Sequence, residues 1–141
     1  MPIVYKIIHR SHPKDVDTEK LIGFFSSLPN CNDIIQQYRN LDGFKEFPKQ
    51  FKIKKYIISK KVYDSMKVYY IQYYCDETNC IDYNGKTICV NFGVWSNKKR
   101  AEQMKRLISK ILLLLLKRGS VVCEQYTLDE CEWQEGFTVI S

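Results

Sequence analysis

Hydrophobic and polar positions along the first half of the chain predict three strands and one helix. Short apolar runs predict strands at residues 3–8, 21–25 and 51–58, and lysines alternate with apolar residues in the third run. Over residues 29–41 the apolar residues recur at three- and four-residue steps, which predicts an amphipathic helix. The first half therefore predicts a unit with the order strand, strand, helix, strand.

The second half predicts the same order with a longer helix. Apolar runs predict strands at residues 66–74, 87–95 and 121–128, and Asn84-Gly85 is a hairpin signal between the first two. A helix is predicted over about residues 98–118. Its predicted apolar face consists of Ala101, Met104, Leu107, Ile108, Ile111 and Leu112.

A short motif occurs in both halves, seventy residues apart. Gly23-Phe24-Phe25-Ser26-Ser27 corresponds to Gly93-Val94-Trp95-Ser96-Asn97, and Val4-Tyr5 corresponds to Val68-Tyr69 at an offset of 64. Few residues are identical, but apolar type and spacing agree over most of both halves. We interpret this pattern as an internal duplication.

Each predicted unit has to bury one helix against three strands. We therefore expect an α+β fold, in which two ββαβ repeats form a six-stranded, mainly antiparallel sheet with two helices packed on it. The units can join edge to edge or face to face. We expect a single domain over residues 1–141, with the repeats at about 1–65 and 66–141.

The end of the second helix is apolar on all sides from Leu112 to Leu116. Such a segment is expected to be buried on most sides or to be covered by another chain, because exposed apolar patches of this size are uncommon. A homodimer formed through this helix end is one arrangement that would cover it.

Composition and charge limit the classes of function. The chain has 141 residues, of which 45% are hydrophobic, and no charged-then-apolar leader begins it, so we expect a cytoplasmic protein. Its longest apolar run, residues 111–116, is far shorter than the roughly 20 residues that cross a bilayer, and we expect no membrane partner. Residues 1–70 have a net charge of +6, whereas residues 119–141 have five acids and no Lys or Arg. This asymmetry favours a directed electrostatic contact.

Four segments of the chain resemble a group of small bacterial proteins. They are Leu21-Ile22-Gly23-Phe24-Phe25-Ser26-Ser27, Leu41-Asp42-Gly43-Phe44-Lys45-Glu46-Phe47-Pro48, Phe51-Lys52-Ile53-Lys54-Lys55-Tyr56 and Trp133-Gln134-Glu135-Gly136-Phe137. In that group a strand with Gly, two aromatics and two serines precedes a helix, a P-G-F turn, an F-x-I-x-x-Y strand and a closing W-x-E-G-F. Members include immunity proteins of polymorphic toxin and contact-dependent growth inhibition systems. The resemblance implies an intracellular protein that binds and silences a toxin.

Residues with catalytic or metal-binding chemistry are sparse in the sequence. Cys75, Cys80 and Cys89 lack the paired close spacings of zinc sites, so we expect packed or idle thiols and no metal. His9 and His12 are the two histidines, and both lie in or beside the first loop, where acid–base work is conceivable but solvation is the simpler interpretation. No phosphate-binding glycine motif is present. We expect no catalytic residues, no cofactor and no enzymatic activity.

Basic and aromatic residues on one predicted strand favour an alternative function, the binding of RNA. The residues are Lys52, Lys54, Lys55, Tyr56 and Lys60. Lysines interleaved with tyrosine on a sheet can contact phosphates and stack on bases. Alternating lysines are also typical of the solvated face or the protected edge of a sheet.

The acidic C-terminal segment predicts a protein-binding surface. Its candidate partner-binding residues are Glu124, Asp129, Glu130, Glu132, Trp133 and Glu135. These acids can mimic phosphate and block a basic nuclease cleft, with Trp133 as an anchor. Alternatively, Trp133 covers the open end of the core and the acids are solvated. Taken with the resemblance, these residues lead us to expect an immunity protein that binds a cognate toxin, a nuclease, and blocks its active site.

Overall fold

The computed structural model describes residues 2–14, 18–75, 88–115 and 119–133 of the chain. Their order, β-β-α-β in each half, confirms the predicted repeat unit. The predicted Asn84-Gly85 turn lies outside the described residues. The elements are β1 (Ile3–Arg10), β2 (Glu19–Phe25), α1 (Leu28–Tyr38), β3 (Phe51–Ile57), β4 (Lys67–Cys75), β5 (Ile88–Trp95), α2 (Lys98–Leu115) and β6 (Ser120–Thr127).

The six described strands form two three-stranded antiparallel sheets, in the orders β2-β1-β3 and β5-β4-β6. The α+β class is therefore confirmed, whereas the single six-stranded sheet of the prediction is replaced by two sheets. The first strand of each unit, β1 or β4, lies at the centre of its sheet and pairs along both edges with strands of the same sheet. Lys52, Lys54 and Lys55 are exposed on β3, and lysines on an edge strand discourage further strand pairing.

Both sheets have a bulge at the same place in the repeat. In the first sheet the register between β1 and β2 shifts between Ile7 and Ile8, opposite Gly23. In the second sheet it shifts between Ile71 and Gln72, opposite Gly93. Both glycines have a positive φ, +154° and +131°, which residues other than glycine rarely adopt. The motif that begins with glycine in each half is thus the sequence signature of this bulge.

The described chain groups into two compact units, and each unit receives a short segment from the other repeat. Unit 1 consists of residues within Met1–Ile57, Lys61–Met66 and Thr127–Ser141, and unit 2 of residues within Ile58–Lys60 and Lys67–Tyr126. The segment after β6 therefore packs in unit 1. The short segment after β3 belongs to unit 2, where the Ser59 hydroxyl lies 3.2 Å from that of Ser96.

The core of unit 1 lies between α1 and one face of its sheet. Because β-strand side chains alternate between faces, Tyr5 and Ile7 of β1 share the helix-facing side with Phe51 and Ile53 of β3. The α1 helix begins after Ser27, whose hydroxyl accepts a hydrogen bond from the Asn30 N–H at 3.3 Å and so caps the helix. The buried residues of this core are Ile7, Ile22, Phe25, Cys31, Ile35, Tyr38 and Phe44.

The core of unit 2 is smaller. Ile71 of β4 packs with Ala101 and Ile108 of α2, and half-buried residues of β4, β5, α2 and β6 complete the cluster. The Asn97 side chain caps α2 by accepting a hydrogen bond from the Arg100 N–H at 3.1 Å. This small core leaves much of the α2 surface uncovered.

Candidate functional site

Part of the acidic segment after β6 packs into unit 1 through hydrogen bonds. The Asp129 carboxylate accepts hydrogen bonds from the Ser26 N–H at 3.0 Å, the Ser26 hydroxyl at 2.7 Å and the Asn30 side-chain amide at 3.1 Å. These donors lie at the start of α1, where a negative charge is favourable. Asp129 was predicted to bind a partner, but in the structure its carboxylate oxygens accept hydrogen bonds from within the same unit. The sequence alone does not show whether an acidic residue is exposed or hydrogen-bonded in this way.

The pKa of Asp129 records this environment. Partial burial raises the pKa of its carboxyl, but the hydrogen bonds from Ser26 and Asn30 outweigh burial, so that the pKa lies below its usual value. Asp64 is adjacent, and its pKa is raised mainly by the hydrogen bond that its side chain shares with Asp129. Two neighbouring carboxyl groups therefore lie at this helix terminus.

Trp133 covers the core of unit 1. Its ring meets the edge of Phe44 at a centroid distance of 6.3 Å, and the Lys20 amine lies 5.7 Å from its centroid. Burial lowers the pKa of Lys20. Of the two alternatives for Trp133, these contacts favour the cover over the anchor.

The remaining acidic candidates divide between the two units. Glu130 and Glu132 are exposed in unit 1, whereas Glu124 is exposed on β6 of unit 2, where its carboxylate accepts a short hydrogen bond from the Tyr126 hydroxyl. Glu135 lies outside the described residues. Of the six residues that were predicted to bind a partner, three are therefore exposed acids in the described part of the chain.

The predicted RNA-binding residues also divide. The register of β3 places Lys52, Lys54 and Tyr56 on one face of the sheet and Lys55 on the other, while Lys60 belongs to unit 2. The Tyr56 ring is half-buried, and the amines of Lys54 and Lys6 lie 5.5 and 5.7 Å from its centroid. The protein's own lysines thus occupy positions around this ring that a stacked base would need.

The apolar residues of α2 form two separate stripes, which corrects the prediction of one buried face. Ala101, Ile108 and Leu112 pack on the sheet. A second stripe, which we call the apolar face of α2, is exposed; it consists of Met104, Leu107, Ile111, Leu114 and Leu115. At 100° per residue, the two stripes lie roughly a quarter turn apart, and a small three-stranded sheet can cover only one of them.

The C-terminal end of α2 is exposed within this chain. Leu113, Leu114 and Leu115 have 67%, 79% and 72% of their surface exposed, while Leu112 is half-buried and Leu116 lies outside the described residues. Of the two predicted arrangements, burial within the chain is therefore wrong for these three leucines. Covering by another chain stays a prediction.

A cavity of about 580 Å³ lies on another side of α2, between the helix and the β4 and β6 strands; we call it the basic cavity. Its lining contains four cations and one carboxylate. The lining residues are Tyr69, Lys98, Glu102, Lys105, Arg106, Ser109, Lys110, Cys123 and Gln125. Sequence reasoning missed this site, although Lys98, Glu102, Lys105 and Ser109 have the spacing of a single helix face.

Among the described residues with thiol or imidazole chemistry, Cys123 lines the basic cavity. Burial raises the pKa of the Cys123 thiol, which the nearby Lys105 partly offsets. His9 was expected to be solvated, but it lies buried on β1 with edge-to-face contacts to Phe44 and Phe51, and burial lowers its pKa. Within the described ranges, no three His, Cys, Asp or Glu residues are placed to hold a metal ion.

Comparison with known proteins leaves the function to be argued from these surfaces. No family model, curated protein or solved structure matches the chain. Among the described residues, no helix is long and apolar enough to cross a membrane. Among the described residues, the apolar face of α2 offers a surface for a protein partner, and the basic cavity offers one for a charged ligand.

Proposed function

We propose that this protein is a binding protein of the immunity type, without catalytic activity, which neutralises a cognate toxin domain by covering its active site. The observation that supports this proposal most is the apolar face of α2. Met104, Leu107, Ile111 and Leu114 recur at three- and four-residue steps, the pattern by which one helix packs against a partner. Large exposed apolar patches on a protein surface mark sites of interaction.

The affinity of such a contact would come from a few leucine and isoleucine side chains. Leu107 and Ile111 are 52% and 47% exposed, so each still has about half of its surface available for burial. Full burial of such a side chain contributes about 1.5–3 kcal/mol. Each of these two residues can therefore contribute about 1 kcal/mol, and the more exposed Leu114 can contribute more.

The charge of α2 favours an acidic partner over a second copy of the chain. The helix has six basic residues and one acidic residue, a net charge of +5. Two such helices packed together would repel each other, whereas acidic residues around an apolar patch on a toxin would be attracted. We therefore assign the apolar face to the toxin, and the homodimer becomes an outcome of the test.

A toxin with a basic nuclease cleft would instead bind a different surface. A basic nuclease cleft would be blocked by the exposed acids Glu130 and Glu132, or by Glu124. Charge reversal at Glu130 and Glu132 weakens binding if these acids block the cleft. The same change leaves binding intact if the apolar face of α2 makes the contact.

The test is co-expression with the product of the adjacent upstream reading frame, where a toxin gene would stand. We expect restored growth of the cells and a 1:1 complex in size-exclusion chromatography. Leu107→Glu with Ile111→Glu should abolish the complex, and Glu130→Lys with Glu132→Lys should leave it intact. Lack of both complex and protection would refute the immunity proposal. Self-association that is lost with Leu107→Glu would assign the face to a homodimer instead.

RNA binding is the second candidate, favoured by the two exposed lysines that share a face of β3. Lys52→Glu with Lys54→Glu should abolish a salt-sensitive association with single-stranded RNA, because both cations lie on the same side of the strand. Lys55→Glu, on the opposite face, is the matched control for the single change Lys54→Glu, because each reverses one charge. Equal loss in both variants would indicate charge attraction without a site.

A further inference from the structure

Among the described residues, the cations of the basic cavity outnumber the single carboxylate in its lining. In unit 1, Arg10 pairs with Glu19 at 2.6 Å and Lys45 with Asp42 at 2.8 Å. None of the four cations of the cavity forms an ion pair within the described ranges of the chain, although Glu102 is part of the same wall. The lining therefore has a net charge of +3 that a negatively charged ligand would neutralise.

The remaining lining residues are suited to the non-ionic part of such a ligand. Ser109 and Gln125 supply neutral hydrogen-bonding groups, and Tyr69 supplies an aromatic ring on the β4 side. The volume of about 580 Å³ lies within the roughly 300–1,000 Å³ range of small-molecule sites. Lys98 and Lys110 are separated by roughly 18 Å along the helix axis, so the site is longer than a single phosphate.

The cavity also explains an unfavourable feature of α2. Lys98, Lys99 and Arg100 occupy the first turn of the helix, which has no acidic residue. Positive charge is unfavourable there, because the helix N-terminus is itself partly positive. A bound anion beside Lys98 would offset this repulsion and would gain from the same partial charge.

We infer that the basic cavity binds a phosphorylated ligand of nucleotide size, with its phosphates at the cations of α2 and its ring on the Tyr69 side. Arg106 can contact a phosphate with two parallel hydrogen bonds, and the lysines act as point charges. The charge of a nucleoside di- or triphosphate matches the +3 of the lining. The cations surround one cavity, which fits a free nucleotide better than a long strand.

This site does not include the apolar face of α2. The cavity residues Lys98, Glu102 and Lys105 lie on a different side of α2 from Leu107 and Leu114 of the apolar face. Variants of the apolar face should therefore leave nucleotide binding unchanged, whereas charge reversals in the cavity also change the charge of α2 that favours an acidic toxin. Failure of one proposal says nothing about the other.

The first test is titration of the full chain with ADP, ATP and pyrophosphate at about 0.15 M salt, with adenosine as the uncharged control. We expect saturable binding of ADP and ATP and none of adenosine. Lys105→Glu with Lys110→Glu should weaken binding by about tenfold for each lost charge-assisted contact. Lys52→Glu with Lys54→Glu makes the same charge change in unit 1 and should alter binding less than about twofold, within the usual context dependence of surface charges.

A short single-stranded RNA distinguishes the source of the phosphate. Competition between RNA and ATP, sensitive to the cavity variant, would support the site and identify strand phosphates as a second source. RNA binding without nucleotide binding would overturn the proposal. The absence of saturable binding by all phosphate ligands, or equal weakening by both charge variants, would overturn it too.

The second test needs no substitution and so does not depend on the folding of a variant. The thiol of Cys123 lines the cavity, whereas the half-buried Cys131 belongs to unit 1. Saturating ATP should slow alkylation of Cys123, followed by peptide mass spectrometry, and leave that of Cys131 unchanged. An unchanged rate at Cys123 would contradict the proposal.

Discussion

Alanine in place of Gly23 should destabilise the protein more than alanine in place of Gly93, although the two glycines occupy equivalent bulges. In both positions the positive φ makes a side chain unfavourable, by about 1–3 kcal/mol. At Gly23 the new Cβ would also lie 2.5 Å from the backbone oxygen of Glu130. At Gly93 it would meet, among the described residues, only the ring of Trp95 at 3.6 Å, which is an ordinary contact.

The additional cost at Gly23 follows from what holds Glu130 in place. The Asp129 N–H donates to the Phe24 carbonyl at 2.8 Å, and the Glu132 N–H donates to the Ile22 carbonyl at 2.7 Å. Displacing Glu130 breaks these two hydrogen bonds, each with a net contribution of about 0.5–1.5 kcal/mol. We therefore expect Gly23→Ala to lower the free energy of unfolding by about 1–3 kcal/mol more than Gly93→Ala does.

Urea denaturation followed by tryptophan fluorescence can assign this loss to one unit. Trp133 reports on unit 1 and Trp95 on unit 2, so Trp95→Phe and Trp133→Phe backgrounds separate the signals. Gly23→Ala should shift the Trp133 transition to lower urea. Equal losses for the two glycine variants would refute the packing of Glu130 on Gly23.

The remaining predictions concern charges and protons in unit 1. Asp129→Asn should lower the free energy of unfolding by about 1–3 kcal/mol near pH 7, because the helix cap loses its charge, whereas Glu130→Gln should have little effect. Since the pKa of Asp129 is depressed in the folded state, its contribution to the free energy of unfolding is present above about pH 4 and is lost as the pH falls below it. The pH–stability curves of the wild type and of Asp129→Asn should therefore converge in acid. Asp64→Asn should raise the Tm at neutral pH and not in acid, because the raised pKa of Asp64 means that its charge is disfavoured in the folded state. A lower Tm of this variant at pH 7 would contradict the repulsion between the Asp64 and Asp129 carboxylates. His9 has a depressed pKa, so the unfolded chain takes up its proton first and stability should fall as the pH drops below about 6.5; His9→Gln should flatten that slope in Tm between pH 7.5 and 5.

The order of elements was predictable because each strand and helix has its own apolar period. The glycine motif also located the two bulges, since Gly23 and Gly93 mark the same point in each repeat. The number of sheets was not predictable in the same way. Strand pairing depends on which edges meet in space, and the alternation within a strand such as β3 specifies its faces but not its neighbour.

The surfaces were harder to predict than the elements. Asp129 and Glu130 are adjacent acids in the sequence, yet one caps α1 and the other is exposed. The apolar residues of α2 have one helical period, and only the width of the sheet decides that Ile108 is buried and Leu107 is not. The basic cavity needs the β6 strand as its second wall, which no local pattern in α2 indicates.

Titration of the toxin's own activity with this protein tests the central claim most directly. If the apolar face of α2 covers the active site, inhibition should be complete at one equivalent of the wild-type chain. Leu107→Glu with Ile111→Glu should abolish inhibition, and Lys52→Glu with Lys54→Glu should retain it. Full inhibition by the Leu107 and Ile111 variant would contradict the account.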